Sequence, residues 1–183
     1  MDELKVPRVE REIILVDPDG KIVKKTAGGE KPLDPYRDNI AYLLLLLFNG
    51  ASQTSLTTFE GTSVPVSRSD LLTCDGKAGE GVDTYGLLIM NGSSKIPHGD
   101  GDNLLHYYAV SMNVVLEPPY ITLLVQREFE NKGTVDVNWN VCVFMIKYSD
   151  IYFPIADIIE SSTQTITAGY KLIYKMKLRF PVT

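Results

Sequence analysis

Cysteine and histidine are scarce in this sequence, with two of each among 183 residues. Cys74 and Cys142 are too few for a disulfide scaffold, and neither sits in a CxxC pair that would suggest zinc or redox chemistry. Long apolar runs are also missing. The longest, Ile40 to Phe48, has nine residues, well short of the ~20 that a membrane-crossing helix needs. An excess of positive charge is absent too: the net charge is −5, which argues against nucleic acid as the main partner, because phosphate binding needs a concentrated basic face. The opening MDELKVPRVEREIILV lacks the cationic start, apolar middle and small-residue cleavage site of a secretory signal. Either the chain does not take that route or the signal is already gone.

What is present is an apolar content of 44% against 22% charged residues, the balance of one compact domain able to bury about 70% of its chain surface. Glu12 to Val16 and Lys21 to Lys25 flank Asp17-Pro18-Asp19-Gly20, which predicts a β-hairpin, since proline presets a turn and glycine accepts positive φ. Thr26 to Lys31, with Gly28-Gly29, reads as a loop. Asp34-Pro35 then opens a helix over about 35–48, ended by Asn49-Gly50. Tyr36, Ile40, Leu43, Leu44 and Leu47 line one face of it, and Leu45 and Leu46 widen that face, so the helix is expected to be buried on two sides.

After Gly50 the period falls from 3.6 to 2. His106 to Leu116 reads as one half-buried strand, with His106, Tyr108, Val110, Met112, Val114 and Leu116 on one side and Tyr107, Ala109, Ser111, Asn113 and Val115 on the other. Ile121, Leu123, Val125, Arg127 and Phe129 alternate with Thr122, Leu124, Gln126, Glu128 and Glu130. Val135, Val137, Trp139, Val141 and Val143 show the same period, and Leu172, Tyr174, Met176, Leu178 and Phe180 alternate with Lys171, Lys175, Lys177 and Arg179. The expected fold is mainly β: an antiparallel sandwich or jelly roll in one domain over 1–183, with hairpin and helix in 1–50 and the sandwich in 51–183.

A search for chemistry gives weak candidates, each with a plainer competitor. His98 or His106 could serve as a base near Ser93, Ser94 or Ser111, but a surface His98 and a strand His106 packed among tyrosines is the far better reading, and closeness in sequence is not triad geometry. His98, His106, Cys74 and Cys142 could supply four zinc ligands, at a spacing that matches no metal signature. Asp100-Gly101-Asp102-Asn103 resembles half of a calcium loop without its closing glutamate, and a solvated turn is the better reading. Glu128 and Glu130 share a strand face ~7 Å apart, a spacing that inverting glycosidases use and wet strand faces also show. The glycine-bearing 75–81 lacks a phosphate-loop ending. Asn91-Gly92-Ser93 is an N-glycosylation sequon, meaningful only on an exported chain. The basic strip Lys171, Lys175, Lys177 and Arg179 reads as protection of an edge strand. No catalytic, cofactor or metal set is expected. Among ten tyrosines, Tyr107 and Tyr120 are candidates for subunit contacts, together with Leu43, Leu46, Leu47 and Phe48 of the predicted helix.

The order of segments carries a further signal. Ser52-Gln53-Thr54-Ser55-Leu56 and Gly61-Thr62-Ser63 form a serine- and threonine-rich stretch. Ala78 to Ile89 reads as a glycine-rich turn running into a strand, and Ile96-Pro97-His98-Gly99-Asp100-Gly101 precedes the tyrosine-bearing Leu105-His106-Tyr107. Gln126 to Asn131 and Val135 to Asn138 follow, and Thr165-Ile166-Thr167-Ala168-Gly169 leads to the last alternating strand. From Ser52 to Phe180 this order resembles a group of virion structural proteins of phages and archaeal viruses. Trp139 and the pair Ala156-Asp157 depart from that group's pattern. The resemblance implies a capsid or tail component of the virion that works by self-assembly with copies of itself and other virion proteins, with no catalytic residues and no cofactor. Two alternatives stay open: a cell-surface filament subunit donating the segment Asp2 to Val16 as a strand, and a carbohydrate-binding or hydrolytic jelly roll using exposed aromatics and Glu128/Glu130.

Overall fold

The computed structural model describes residues 7–32, 39, 53–58, 60–71 and 73–181. The predicted hairpin is there: β1 (Arg8–Val16) pairs antiparallel with β2 (Ile22–Pro32). Asp17 Oδ1 accepts the backbone N–H of Asp19 at 3.1 Å and of Lys21 at 2.9 Å, and Gly20 takes φ +82° to close the turn. The expected loop over Thr26 to Lys31 is strand instead. Gly28 and Gly29 adopt positive φ opposite a register shift between Val9 and Arg11, so these glycines absorb a bulge within β2 rather than end it. The helix expected over 35–48, with Leu43, Leu46, Leu47 and Phe48, lies outside the described residues except for Asn39. That residue is buried, with its amide donating to the carbonyls of Thr57 and Pro154, both at 2.9 Å, and accepting the Thr57 N–H at 2.8 Å.

The remaining strands are β3 (Gln53–Thr57), β4 (Ser63–Ser67), β5 (Gly86–Asn91), β6 (Ser94–Lys95), β7 (His106–Tyr107), β8 (Ser111–Glu117), β9 (Tyr120–Glu130), β10 (Val137–Tyr148), β11 (Ile151–Ile166) and β12 (Lys171–Pro181), with a single-turn helix α1 (Arg68–Leu71). The protein is therefore mainly antiparallel β, as expected. One sheet runs β2-β1-β12-β9, with β7 and β8 end to end along the far edge of β9, β7 on Phe129–Glu130 and β8 on Tyr120–Gln126. A second runs β11-β10-β5-β6, and β3-β4 form a small third sheet.

The two larger sheets share one core in a sandwich-like arrangement. Val9, Ile13, Val125, Phe129, Leu172, Tyr174, Met176 and Leu178 from the first meet Leu87, Ile89, Cys142, Phe144 and Ile158 from the second. β12 alternates as read from sequence, with Leu172, Tyr174, Met176 and Leu178 buried. It is not an edge strand, however, because β1 and β9 flank it. Its cations are answered from the neighbouring strands, Lys175 by Glu12 at 2.8 Å and Arg179 by Glu10 at 2.6 Å. Alternation fails in β5 and β10, where Gly86–Met90 and Val141–Met145 are buried on both faces, the pattern of strands covered from both sides.

The single strand expected over His106 to Leu116 is broken. Between Tyr107↔Phe129 and Ser111↔Gln126 the pairing with β9 slips by one residue, and a one-residue slip exchanges faces. Tyr107 thus points into the core from β7 and Met112 does so from β8. Tyr107 was expected at a subunit contact. It is fully buried in its own chain, with its hydroxyl donating to the Ile96 carbonyl at 2.7 Å.

Candidate interaction surface

One buried side chain sits where the pairing slips. Arg127 stands in the inward row of β9 and is 1% exposed. Its Nε donates to the Tyr108 carbonyl at 2.7 Å, Nη1 to Leu87 at 3.0 Å and Tyr85 at 3.4 Å, and Nη2 to Val82 at 2.6 Å and Gly79 at 3.1 Å. The guanidinium also lies over the Tyr107 ring, 4.7 Å from its centroid, so the charge is solvated by carbonyl dipoles and a π face rather than by a carboxylate. Burial pulls its pKa down to about 10. Tyr108 still donates its N–H to the Glu128 carbonyl of β9 at 3.1 Å, while its own carbonyl goes to Arg127, and there the chain leaves β9. Val110 N–H then bonds Ala78 at 2.8 Å, and β8 rejoins β9 one residue out of step. Gly86 completes this clasp at φ +81°, where a Cβ would stand 2.8 Å from Ala78 Cβ and Val110 Cγ2.

Beyond the clasp, β8 and the start of β9 form a hairpin turned at Pro118-Pro119. Leu116 pairs with Ile121 and Val114 with Leu123; on the other side of β9, Ile121 pairs with Phe180 and Leu123 with Leu178. Directly opposed residues share a face, so two apolar rows run across the inner face of the first sheet. Along one row exposure climbs from Leu178 at 0% to Val114 at 66%; along the other it reaches 37% at Ile121 and 74% at Leu116. The first sheet therefore outruns the second at this corner, leaving the ends of its inner rows in solvent. Val115, on the opposite face of β8, is 36% exposed. Tyr120 is half-buried at the turn, with the Arg179 guanidinium 5.4 Å from its ring centroid. Arg179 also holds Glu117 at 3.1 Å, anchoring the end of β8.

The two histidines are brought together, their ring centroids 5.2 Å apart. His98 Nδ1 accepts the Tyr107 N–H at 3.2 Å. His106 lies between two carboxylates, Nδ1 2.7 Å from Asp100 and Nε2 2.9 Å from Glu80, with Lys132 Nζ 3.1 Å from the same Nδ1. Neither ring is hydrogen-bonded to Ser93, Ser94 or Ser111. Cys142 is in the core and Cys74 lies beside α1, its thiol 3.6 Å from the Asp70 carbonyl. Among the described residues no three or more His, Cys, Asp or Glu side chains are grouped to hold a metal.

The acidic loop is spoken for by protein donors. The His106 hydrogen bond holds the Asp100 carboxyl below its ordinary range. Asp102 is held down by the Thr134 N–H, which it accepts at 2.6 Å. Glu130 accepts the Tyr108 hydroxyl at 2.5 Å and faces Lys171 at 3.9 Å, which leaves the Glu128/Glu130 pair as part of a charged strand face. That hydrogen bond pushes the Tyr108 phenol up to about 12. Asn91 is exposed at the β5–β6 turn.

Two of these features were half visible in the sequence. Arg127 alternates in register with Ile121, Leu123, Val125 and Phe129 in the sequence, and a cation in such an apolar row is the signal of a buried clasp. Val114 and Leu116 fall on one side of a half-buried strand in the sequence, and nothing local marks where the opposing sheet stops. Comparison with family models, curated proteins and solved structures finds no match to this chain.

Proposed function

We propose that this protein is a structural subunit that works by associating with copies of itself, as a component of a virion shell or tail. The observation that carries the reading is the uncovered apolar corner of β8 and β9. Val114, Leu116 and Ile121 stand together there at 66%, 74% and 37% exposure, whereas Ile159 on β11 is exposed singly. Scattered apolar residues are ordinary on a protein surface, and a contiguous group is the mark of a contact surface. The resemblance of the segment order from Ser52 to Phe180 to that of virion structural proteins is what suggests the virion as the setting. The filament alternative has less support: within the segment Asp2 to Val16, Arg8–Val16 is paired on both edges in its own sheet, by β2 and β12.

Electron microscopy of the concentrated chain tests the reading. Regular oligomers or larger assemblies are expected for the wild type and dispersed single particles for Leu116→Lys, which places a charge in the middle of the corner. Identical dispersed particles in both samples would overturn it.

A further inference from the structure

Edge strands are ordinarily guarded against pairing with other chains, by lysine, proline, bulges or shortness. Three of the edges of the two larger sheets show such guards. β2 carries Lys24 and Lys25 and two register irregularities. β6 has two residues, and β11 holds Pro154 beside a register shift. β8 has none. Its sequence is Ser-Met-Asn-Val-Val-Leu-Glu, and among the described residues only β9 pairs with it. An open backbone edge calls for an extended strand rather than a helix or a flat surface, because only a strand satisfies its row of N–H and C=O groups.

Resting on the reading of a self-associating subunit, we propose that β8 pairs antiparallel with β8 of a second copy about a two-fold axis at Val114, joining the two sheets into one. This register overlaps all seven residues of the strand. Val114 then opposes the partner's Val114, Met112 opposes the partner's Leu116 and Asn113 opposes the partner's Val115. The exposed inner-face residues of both copies fall on one side. Glu117, the only charged residue of β8, opposes the partner's Ser111, so no like charges meet. Moving the axis to Val115 would place Pro118, which has no N–H, inside the ladder, and a one-residue slip would put Val114 on the wrong face.

Cysteine cross-linking in a Cys74→Ser background reads this register. Directly opposed residues lie ~4.5–5.5 Å apart between Cα atoms, inside the range a disulfide spans, whereas Leu116 and the partner's Leu116 would be offset by four positions, ~13 Å along the strand. Under copper-phenanthroline oxidation, Val114→Cys is expected to give a covalent dimer. Leu116→Cys alone is expected to give little, and the double variant Met112→Cys/Leu116→Cys to give a dimer again. These positions are exposed or half-buried, and unchanged circular dichroism would establish that each variant is folded. A wild type that self-associates while Val114→Cys fails to cross-link, or cross-links no better than Leu116→Cys, overturns the β8 pairing and leaves the assembly reading standing. A wild type that stays monomeric overturns both.

Discussion

At the scale of single residues, Arg127 does the most work per atom. Five carbonyls converge on one guanidinium, and of these Gly79 also accepts the Val82 N–H; a carbonyl left with no donor on its removal is a buried loss of about 1–3 kcal/mol before relaxation. Arg127→Met is expected to lower the unfolding free energy by roughly 3 kcal/mol or more, and Arg127→Lys to recover only part of that, since an ammonium cannot fan five donors across the same carbonyls. Urea denaturation of the three proteins measures it. A second residue-level expectation concerns acid. Glu12, Asp100 and Asp102 are held below the ordinary carboxyl range, by the Lys175, His106 and Thr134 hydrogen bonds respectively. As acid is added the unfolded chain takes up these protons first. The stability they contribute is thus complete above the unfolded values near ~4 and is lost as pH falls through the lower folded values. Asp102→Asn keeps an acceptor for Thr134 but removes one titrating group, so its stability should fall less steeply below about pH 4 in denaturation series stepped from neutral to acid.

At the scale of elements, legibility followed solvent. β12 was readable because one face is wet and the other dry, and the lysines alternate with the core residues. The same rule could not resolve β5 or β10, where both faces are covered and period 2 disappears. The turn at Asp17–Gly20 is local chemistry and was fully legible. Gly28-Gly29 carries the same composition as a loop, yet the neighbouring β1 recruits it as a bulge. The break begins after Tyr108, whose carbonyl is taken by Arg127, nineteen positions away in sequence, and so could not be read from the strand itself. The join between sheets has its own test. Arg11 on β1 bonds Glu160 on β11 through both Nε and Nη2, with side-chain exposures of 14% and 3%. Removing one partner of such a pair strands the other charge, and Glu160→Ala is expected to cost about 3–5 kcal/mol. Calorimetric melting, with Arg11→Met/Glu160→Met as the double variant, distinguishes this from a passive pair, because the double change should be milder than the single one.

At the scale of the molecule, the fold is a closed core with one unfinished corner. Most of the inner face of the first sheet is sealed by the second, and the rows that run past it end in Val114, Leu116 and Ile121. Which residues make the corner was in the sequence; that they stand uncovered is a property of how far one sheet reaches beyond the other. The account depends on this corner being satisfied by another copy. Sedimentation velocity across a wide dilution series, wild type beside Leu116→Lys, addresses that most directly. The wild type should move from a 20.4 kDa species to heavier ones as concentration rises, while the variant keeps the monomer mass throughout. A wild type that sediments as a monomer at every concentration would contradict it.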